Sequence, residues 1–254
     1  MGASLQRAGP EPGRSSTAEQ ELQSFSYMVS HDMAASVRHL TEFSRLLVGE
    51  LGDGLTGRQR AHADHIRTAG ENCQMMLEQL RIFSHVQHKP IDRVRHDATA
   101  SLHLPMLRLD AEARAAGAEI TMEPLGEVYA DAELLALAFS RLMDNAIKFA
   151  RPGAPPRIRI APAHDKEFWR MRISDNGLGV DPAYRDVAFQ MFRRLHGKNA
   201  HPGVGAGLAI CRRIARLHGG EATFLDCAEG ACVELALPHA AGPVKSGRHH
   251  HRGD

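Results

Sequence analysis

SDNGLG, residues 174–179, stands at the end of FWRMRIS, residues 168–174, a run in the second half of the chain in which apolar residues alternate with arginines. Such alternation is typical of a β-strand with one buried face. A carboxylate at the end of a strand, here Asp175, can accept a hydrogen bond from an exocyclic amine. Because Gly177 and Gly179 have no side chain, the backbone can approach a flat ring closely at these positions. The stretch therefore predicts a strand that ends at a binding site for a planar group.

Two other stretches in the same half carry chemistry of their own. DNAIKF, residues 144–149, places Asn145 and Lys148 three residues apart, on one face of a predicted helix. HPGVGAGLAI, residues 201–210, brings glycines to the start of another helix, where free N–H groups and the positive helix end suit phosphate. These glycines are Gly203, Gly205 and Gly207. Each stretch taken singly is common, but the order and spacing of the three together are not.

Short strands alternate with helices over residues 89–238, and this alternation predicts an α/β layer of helices on a mixed sheet. Asp97 is predicted to cap the first helix, which runs to about Ala115. Further helices are predicted over residues 131–150 and 206–220. The predicted strands cover residues 118–124, 157–163, 168–175, 221–226 and 231–238. This half of the chain is distinct in kind from the half that precedes it.

Two long amphipathic helices are predicted over residues 18–50 and 58–87, separated by a glycine-rich break at 51–57. Their apolar residues recur every seven positions, as in a coiled coil. Members of this predicted seam include Met33, Leu40 and Leu47 in the first helix and Ile66, Cys73, Leu77, Leu80, Met76 and Phe83 in the second. A hairpin of two such helices buries only a narrow stripe on each. Pairing with a second copy into a four-helix bundle buries more, so we expect a homodimer.

The composition argues against several classes of function. The net charge is +1 over 254 residues, which gives no indication of nucleic-acid binding. No apolar run approaches the roughly 20 residues that span a bilayer, so we expect no direct membrane insertion. The four cysteines show no metal-binding spacing and are interpreted as reduced thiols of a cytoplasmic protein. Residues 1–17 are predicted to be disordered and 239–254 to be a flexible tail, which leaves 18–88 and 89–238 as the two domains.

In sequence order, DNAIKF, DNGLG and GVGAGLAI resemble the N box and the two glycine boxes of the GHKL ATPase family. FQMFRRLHGK, which lies between the glycine boxes, resembles the F box of histidine kinases, and SYMVSHDMAASVRHL resembles their H box. The resemblance covers about residues 18–238 and is to the sensor histidine kinases of two-component systems, in particular the phytochrome-like subgroup. It implies a helical hairpin that forms a dimeric four-helix bundle, followed by a two-layer α/β ATP-binding domain of the Bergerat type.

The same resemblance implies roles for individual residues. His31 would accept the phosphoryl group, and Asp32 beside it would orient the imidazole. Asp175 would bind the adenine amine of ATP. Asn145 would help to hold Mg²⁺, and Lys148 would offset phosphate charge. The remaining implied nucleotide-binding residues are Gly177, Gly179, Gly203, Gly205, Gly207 and Leu208.

Three residues between the glycine boxes each keep two interpretations. Phe192 either anchors a mobile lid over the nucleotide or packs in the core. Arg193 and Arg194 either contact phosphates or remain solvated. The order of the motifs alone does not choose between these possibilities.

Ser36 and Arg141 are two of the positions that depart from the usual pattern of the family. Ser36 stands where a proline usually kinks the first helix, so we expect a straighter helix. Arg141 stands where a second asparagine usually lies, one helical turn before Asn145 and on the same face. This cation can contact phosphate, or it can weaken the binding of Mg²⁺.

The function implied is autophosphorylation of His31 by ATP, followed by transfer of the phosphoryl group to an aspartate of a response regulator receiver domain supplied in trans. No sensor domain is recognised in the sequence, so we expect a signal from an upstream sensor protein. Two alternatives remain open. One is a nucleotide-binding pseudokinase that acts as a scaffold, and the other is a phosphotransfer hub that regulates another kinase.

Overall fold

A computed structural model describes most of the chain. The described residues are 14–163, 165–195 and 203–239, and for residues 14–32 and 53 the description is of the backbone alone. The chain divides into two compact units, with the boundary between Ser84 and His85.

The ends of the chain fall mostly outside the described residues. Of the segment 1–17 that was predicted to be disordered, residues 1–13 lie outside, whereas Arg14 already begins a helix. The prediction is wrong for residues 14–17, because a helix that exists beyond them can extend at little cost. Of the predicted flexible tail, only His239 is described.

The first part of the chain consists of two long helices. They are α1 (Arg14–Leu51) and α2 (Gly57–His88), with a 3₁₀ turn at Gly52–Gly54 between them. Both predicted helices are confirmed, and each is slightly longer than its periodicity indicated. The helix α1 continues through Ser36 without interruption. No helix in the described part of the chain combines the length and the apolar character needed to cross a membrane.

The two helices leave most of their apolar residues on the surface of the single chain. They contact each other where Gln74 Nε2 donates a hydrogen bond to Thr41 Oγ1 at 3.0 Å. Leu40 and Phe43 are 65% and 68% exposed. We call the exposed large apolar side chains of α1 and α2 the exposed seam: Met33, Leu40, Phe43, Leu46, Leu47, Leu51, Ile66, Met75 and Met76.

The second unit is an α/β layer. Its helices are α3 (Ala98–Ala115), α4 (Ala132–Lys148) and α5 (Gly207–Leu217). Its strands are β1 (Val94–Asp97), β2 (Glu119–Met122), β3 (Glu127–Ala130), β4 (Arg157–Ala163), β5 (Phe168–Asp175), β6 (Glu221–Leu225) and β7 (Cys232–Pro238). Between β5 and α5 lie 3₁₀ turns at Pro182–Tyr184 and Val187–Phe189. Every predicted helix and strand of this half is confirmed, with ends that shift by a few residues.

Within the described residues, five strands form a mixed sheet in the order β2-β4-β5-β7-β6. Strand β2 runs parallel to β4, and the other neighbours are antiparallel. The alternation in β4 and β5 buries Ile158, Ile160, Trp169, Met171 and Ile173. The apolar faces of α4 and α5 supply a large part of the remaining core, including Leu134, Leu135, Ala138, Phe139, Leu142, Met143, Ile210 and Ile214. The predicted α/β layer with a mixed sheet is therefore correct.

The strands β1 and β3 are absent from the sequence-based prediction. They pair with each other antiparallel, and each has four residues. In β1 three of the four residues are exposed, so it lacks the apolar alternation by which strands are recognised. Such short strands are defined by their pairing partner, which the local sequence does not reveal.

Side-chain caps begin two of the helices. Asp97 Oδ1 accepts a hydrogen bond from the Thr99 N–H at 2.9 Å, as the sequence predicted for α3. At the start of α4, Asp131 Oδ1 accepts from the N–H groups of Glu133 and Leu134, both at 3.1 Å. These carboxylates satisfy donors that have no partner within the helix.

The residues that follow α2 are held against the start of α4. The Lys89 ammonium lies 3.3 Å from the buried carboxylate of Asp131 and 2.5 Å from the exposed carboxylate of Glu133. The Asp92 N–H donates to Asp131 Oδ2 at 3.2 Å. The Arg93 guanidinium donates at 2.8 Å to the last carbonyl of α5. Residues 89–93 are thus fixed to the α/β layer at these points.

Candidate nucleotide-binding site

Asp175 lies at the end of β5 and is the centre of the site. Its Oδ1 accepts hydrogen bonds from the N–H groups of Gly177, at 2.8 Å, and Ala231, at 3.0 Å. Both of the hydrogen bonds found for this carboxylate within the described residues fall on Oδ1, so Oδ2 remains available as an acceptor. Burial raises the pKa of Asp175, and the two backbone hydrogen bonds partly oppose that rise. The carboxylate is therefore oriented before any ligand arrives.

Glycines pack tightly around this carboxylate. A Cβ atom on Gly177 would lie 2.5 Å from the Phe149 carbonyl oxygen and 2.9 Å from Asp175 Oδ1. Gly179 has a φ of +73°, and a Cβ there would lie 2.6 Å from the Gly230 carbonyl oxygen. Any side chain at these positions would displace the turn.

Gly230 and Ala231 belong to the site but were not predicted. Gly230 has a φ of +63°, and a Cβ there would contact the Asp175 carbonyl oxygen and lie 2.7 Å from its Oδ1. Gly230 stands in the loop between two predicted strands and Ala231 begins the second of them, far from every recognised motif. A Gly-Ala pair directly before a strand is a weak signal, and only the pairing of β5 with β7 brings it to Asp175.

The end of α4 meets the second glycine motif. A Cβ on Gly207, the first residue of α5, would lie 3.6 Å from Asn145 Nδ2. A Cβ on Gly203, which has a φ of +114°, would contact the Lys148 Nζ. Burial lowers the pKa of Lys148; the Asp144 carboxylate raises it and the Arg194 guanidinium lowers it further. The motifs DNAIKF and GVGAGLAI are thus brought together beside the start of a helix, where an anion is favoured.

Phe192 and Gly205 hold the segment that precedes α5. The Phe192 N–H donates to the Gly205 carbonyl oxygen at 2.9 Å, and both residues have positive φ, +62° and +74°. A Cβ on Gly205 would contact the Arg193 carbonyl oxygen. The Phe192 side chain is 37% exposed, whereas Phe189 is buried and packs on Phe224 with ring centroids 5.3 Å apart. Core packing therefore belongs to Phe189, and that interpretation of Phe192 is wrong.

Arg193, Arg194 and Leu208 border the same segment. Both arginines are exposed, and Arg194 Cγ would lie 3.1 Å from a Cβ on Gly205. Leu208 is half-buried in the first turn of α5. The charge of Arg194 acts on Lys148, so positive charge collects on this side of the site.

Arg141 lies on α4, one turn before Asn145. Its Cβ would be 3.8 Å from a Cβ on Gly207, so it borders the start of α5. Its Nε is buried and has no hydrogen-bond partner among the described residues. The guanidinium also acts on Cys211, whose thiol is fully buried and whose pKa burial raises to about 12. That thiol is unreactive near neutral pH.

The site can accept a metal ion only if the ligand brings most of the oxygen atoms. In the part of the chain that the structure describes, no three His, Cys, Asp or Glu side chains form a metal-binding group. The amide oxygen of Asn145, beside the start of α5, is the donor that the sequence predicted. Mg²⁺ suits such a set, because it keeps several waters and binds substrate phosphates with few protein ligands.

His31 and Asp32 lie within α1, and the description of this part of the helix covers the backbone alone. Their predicted roles therefore remain predictions.

Comparisons with known proteins agree with this geometry. Residues 130–241 match the family of histidine kinase-, DNA gyrase B- and HSP90-like ATPases. The chain is 29% identical over 219 residues to cyanobacterial phytochrome A of Nostoc sp., a match that covers 86% of this chain and 28% of that protein. It is 38% identical over 122 residues to the sensor protein KdpD of Escherichia coli, covering 48% of this chain and 13% of that protein. The chain thus spans less than a third of either relative.

A solved structure shares the fold. Full-length ShkA, crystallised in complex with AMPPNP, superposes with a TM-score of 0.61 at 22% identity, covering 87% of this chain and 47% of that one. At this identity the likeness concerns the fold alone. The family match over residues 130–241 and the related sequences make this chain similar to the sensor histidine kinases that carry a GHKL ATPase domain.

Proposed function

We propose that this chain is an ATP-dependent kinase that phosphorylates its own His31 and passes the phosphoryl group to an aspartate of a separate response regulator. The observation that carries the proposal is the half-buried Asp175 carboxylate. Its Oδ1 is held by two backbone N–H groups, and its Oδ2 remains available as an acceptor. An acceptor fixed in this way suits the exocyclic amine of adenine.

The phosphates of ATP would lie near the second glycine motif. Lys148 borders Gly203, and Gly207 begins α5, so an ammonium group and a positive helix end converge on this place. Arg193 and Arg194 are exposed beside it, and their positive charges would favour a triphosphate there. We assign Phe192 to the lid, because its backbone is bonded to Gly205 while its ring is largely exposed.

Asn145 would be the protein ligand of Mg²⁺. When bound, the ion would offset the negative charge of the phosphates during transfer. Lys148 would add to that effect from the same helix. The protein's part is to hold the triphosphate in one orientation.

His31 would be the nucleophile. A neutral imidazole nitrogen attacks the γ-phosphorus; an N–P bond forms, the bond to the bridging oxygen breaks, and ADP leaves. Asp32 would accept the N–H of the opposite ring nitrogen and so orient the attack. In the second step a carboxylate of the receiver domain attacks the phosphohistidine, the N–P bond breaks, and the imidazole is regenerated.

The helical part would form a homodimeric four-helix bundle. The exposed seam supports this, because it places nine large apolar side chains on the surface of a single chain. Surfaces of this kind mark interaction sites in soluble proteins. A second copy offers an identical seam, as a two-fold interface requires. The partners would then be a second copy, a response regulator and an upstream sensor protein.

Transfer of label from ATP tests the proposal. The full chain is incubated with γ-labelled ATP and Mg²⁺, beside His31→Gln, Asn145→Ala and, as a control on the same helix, His39→Gln. We expect acid-labile, alkali-stable label in the wild type and in His39→Gln, and none in the other two. Label that persists in His31→Gln would refute the assignment of the phosphoacceptor.

The alternative is a nucleotide-binding scaffold without kinase activity, and Arg141 is the observation that favours it. A guanidinium beside Asn145 opposes a second cation electrostatically. A wild-type chain that binds ATP in the same preparation but incorporates no label would establish this alternative.

A further inference from the structure

Arg141 carries a positive charge that nothing in the described protein neutralises. Its Nε is buried without a hydrogen-bond partner, and no ion pair to its guanidinium is found among the described residues. Burying a charged donor without a partner costs free energy. The side chain of Arg141 is half-buried, and a ligand that accepts a hydrogen bond from Nε would recover this cost.

The position of Arg141 indicates what that partner is. The Cβ of Arg141 lies beside Gly207, the first residue of α5. The positive charge of Arg141 also acts on the thiol of Cys211, one helical turn further along α5. The start of an eleven-residue helix is itself positive. A guanidinium beside it is repelled, and an anion that contacts both would remove the repulsion.

Other charges at this place have the same sign. Lys148, on the same helix two turns later, borders Gly203, and the Arg194 guanidinium acts on it. Asp144 is the carboxylate whose charge acts on Lys148. The excess of positive charge suits a ligand with several negative charges.

We propose that Arg141 binds a phosphate group of the nucleotide and supplies charge there that makes nucleotide binding less dependent on Mg²⁺. Arginine suits this task because its planar guanidinium can donate two parallel hydrogen bonds to one phosphate. Arg141 is thus a substrate-binding residue that acts beside Asn145. The inference rests on the proposed function, since it takes ATP as the ligand.

Binding measurements on the full chain test the inference without reference to catalysis. Affinities for ATP and for adenosine are measured by calorimetry, with Mg²⁺ and with a chelator, for the wild type, Arg141→Ala and Arg141→Asn. We expect Arg141→Ala to weaken metal-free ATP binding by about 10- to 100-fold, as for a lost charged hydrogen bond, and to leave adenosine binding unchanged. The factor by which Mg²⁺ increases ATP affinity is expected to be about tenfold larger for Arg141→Asn than for the wild type.

Arg213→Ala is the matched control. Arg213 is also an arginine whose buried Nε lacks a partner among the described residues, and it lies further along α5. We expect this variant to bind ATP as the wild type does. Three results would each overturn the role of Arg141. The first is an equal loss of ATP affinity in Arg213→Ala, and the second is a loss of adenosine binding in Arg141→Ala. The third is an unchanged metal-free ATP affinity in Arg141→Ala. A wild type that binds no ATP under either condition would instead overturn the proposed function, and this inference with it.

Discussion

The imidazole of His218, at the end of α5, accepts a hydrogen bond through Nε2 from the backbone N–H of Asp131, at 3.0 Å. Its Nδ1 lies 2.8 Å from the Ile214 carbonyl oxygen. One nitrogen must accept and the other must donate, so the buried ring is neutral, with its proton on Nδ1. Burial lowers the pKa of His218, and the Arg93 guanidinium lowers it further; the Ile214 carbonyl and the Asp131 carboxylate raise it.

This contact predicts that stability falls in mild acid. The unfolded imidazole titrates at about pH 6.5, and the folded one at a lower pH. Below pH 6.5 the unfolded chain therefore binds more protons, and the free energy of unfolding decreases as the pH falls, by at most about 1.4 kcal/mol per pH unit. Above pH 6.5 the His218 imidazole is neutral in both the folded and the unfolded chain, so its full contribution to the free energy of unfolding is present. Urea unfolding followed by the fluorescence of the single tryptophan, Trp169, measures this between pH 5 and 7.5.

The control separates His218 from the other histidines. In His218→Gln the amide oxygen can still accept from Asp131, but nothing titrates, so we expect a flatter pH profile. His103→Gln replaces an exposed histidine of the same unit and should keep the wild-type profile. An unchanged slope in His218→Gln would contradict the assignment.

Asp175→Asn is predicted to abolish adenine recognition while the protein remains folded. Because the backbone N–H groups of Gly177 and Ala231 require an acceptor, the amide oxygen would take the place of Oδ1. The NH₂ group would then replace Oδ2 and oppose the adenine amine, donor against donor. We expect ATP affinity to fall at least about tenfold, with the Trp169 unfolding transition retained. Wild-type affinity in this variant would mean that the base binds elsewhere.

Gly230→Ala is predicted to disrupt the site more than its backbone conformation alone explains. A Cβ at Gly230 would contact the Asp175 backbone, whereas a Cβ at Gly117 has no neighbour within 4 Å, and the two φ values are +63° and +64°. Gly117→Ala therefore reports the cost of the left-handed conformation, about 1–2 kcal/mol. Gly230→Ala should cost more than this in urea unfolding and should also lose ATP binding. Equal losses in the two variants would show that the contact is unimportant.

The exposed seam predicts a dimer that one charge can break. Leu47→Glu places a carboxylate on the seam and should convert a dimer to a monomer in analytical ultracentrifugation, because a buried charge without a partner is costly. Leu104 on α3 is 57% exposed, compared with 56% for Leu47, and lies outside the seam. We expect Leu104→Glu to remain dimeric. A wild type that is monomeric at all concentrations would end the proposal of a four-helix bundle.

Most elements of the fold follow from local pattern. The periodic apolar residues of α1 and α2 and the alternation in β5 are signals carried by neighbouring residues, and both were interpreted correctly. The strand β1 was missed because three of its four residues are exposed, and β3 was missed because an alternation of only four residues is too short a signal. Phe192 was left ambiguous because nothing local distinguishes it from Phe189, three residues before it; only packing shows which ring is buried.

The sequence by itself determined the order of the motifs, the two kinds of domain and the chemical character of each candidate residue, because these depend on residue type and spacing. The tertiary structure decided which groups meet. It brought Gly230 and Ala231 to Asp175 through the pairing of β5 with β7, and it placed Arg141 beside the start of α5. Contacts of this kind join residues that are tens of positions apart, and they exist only once the strands have paired and the helices have packed.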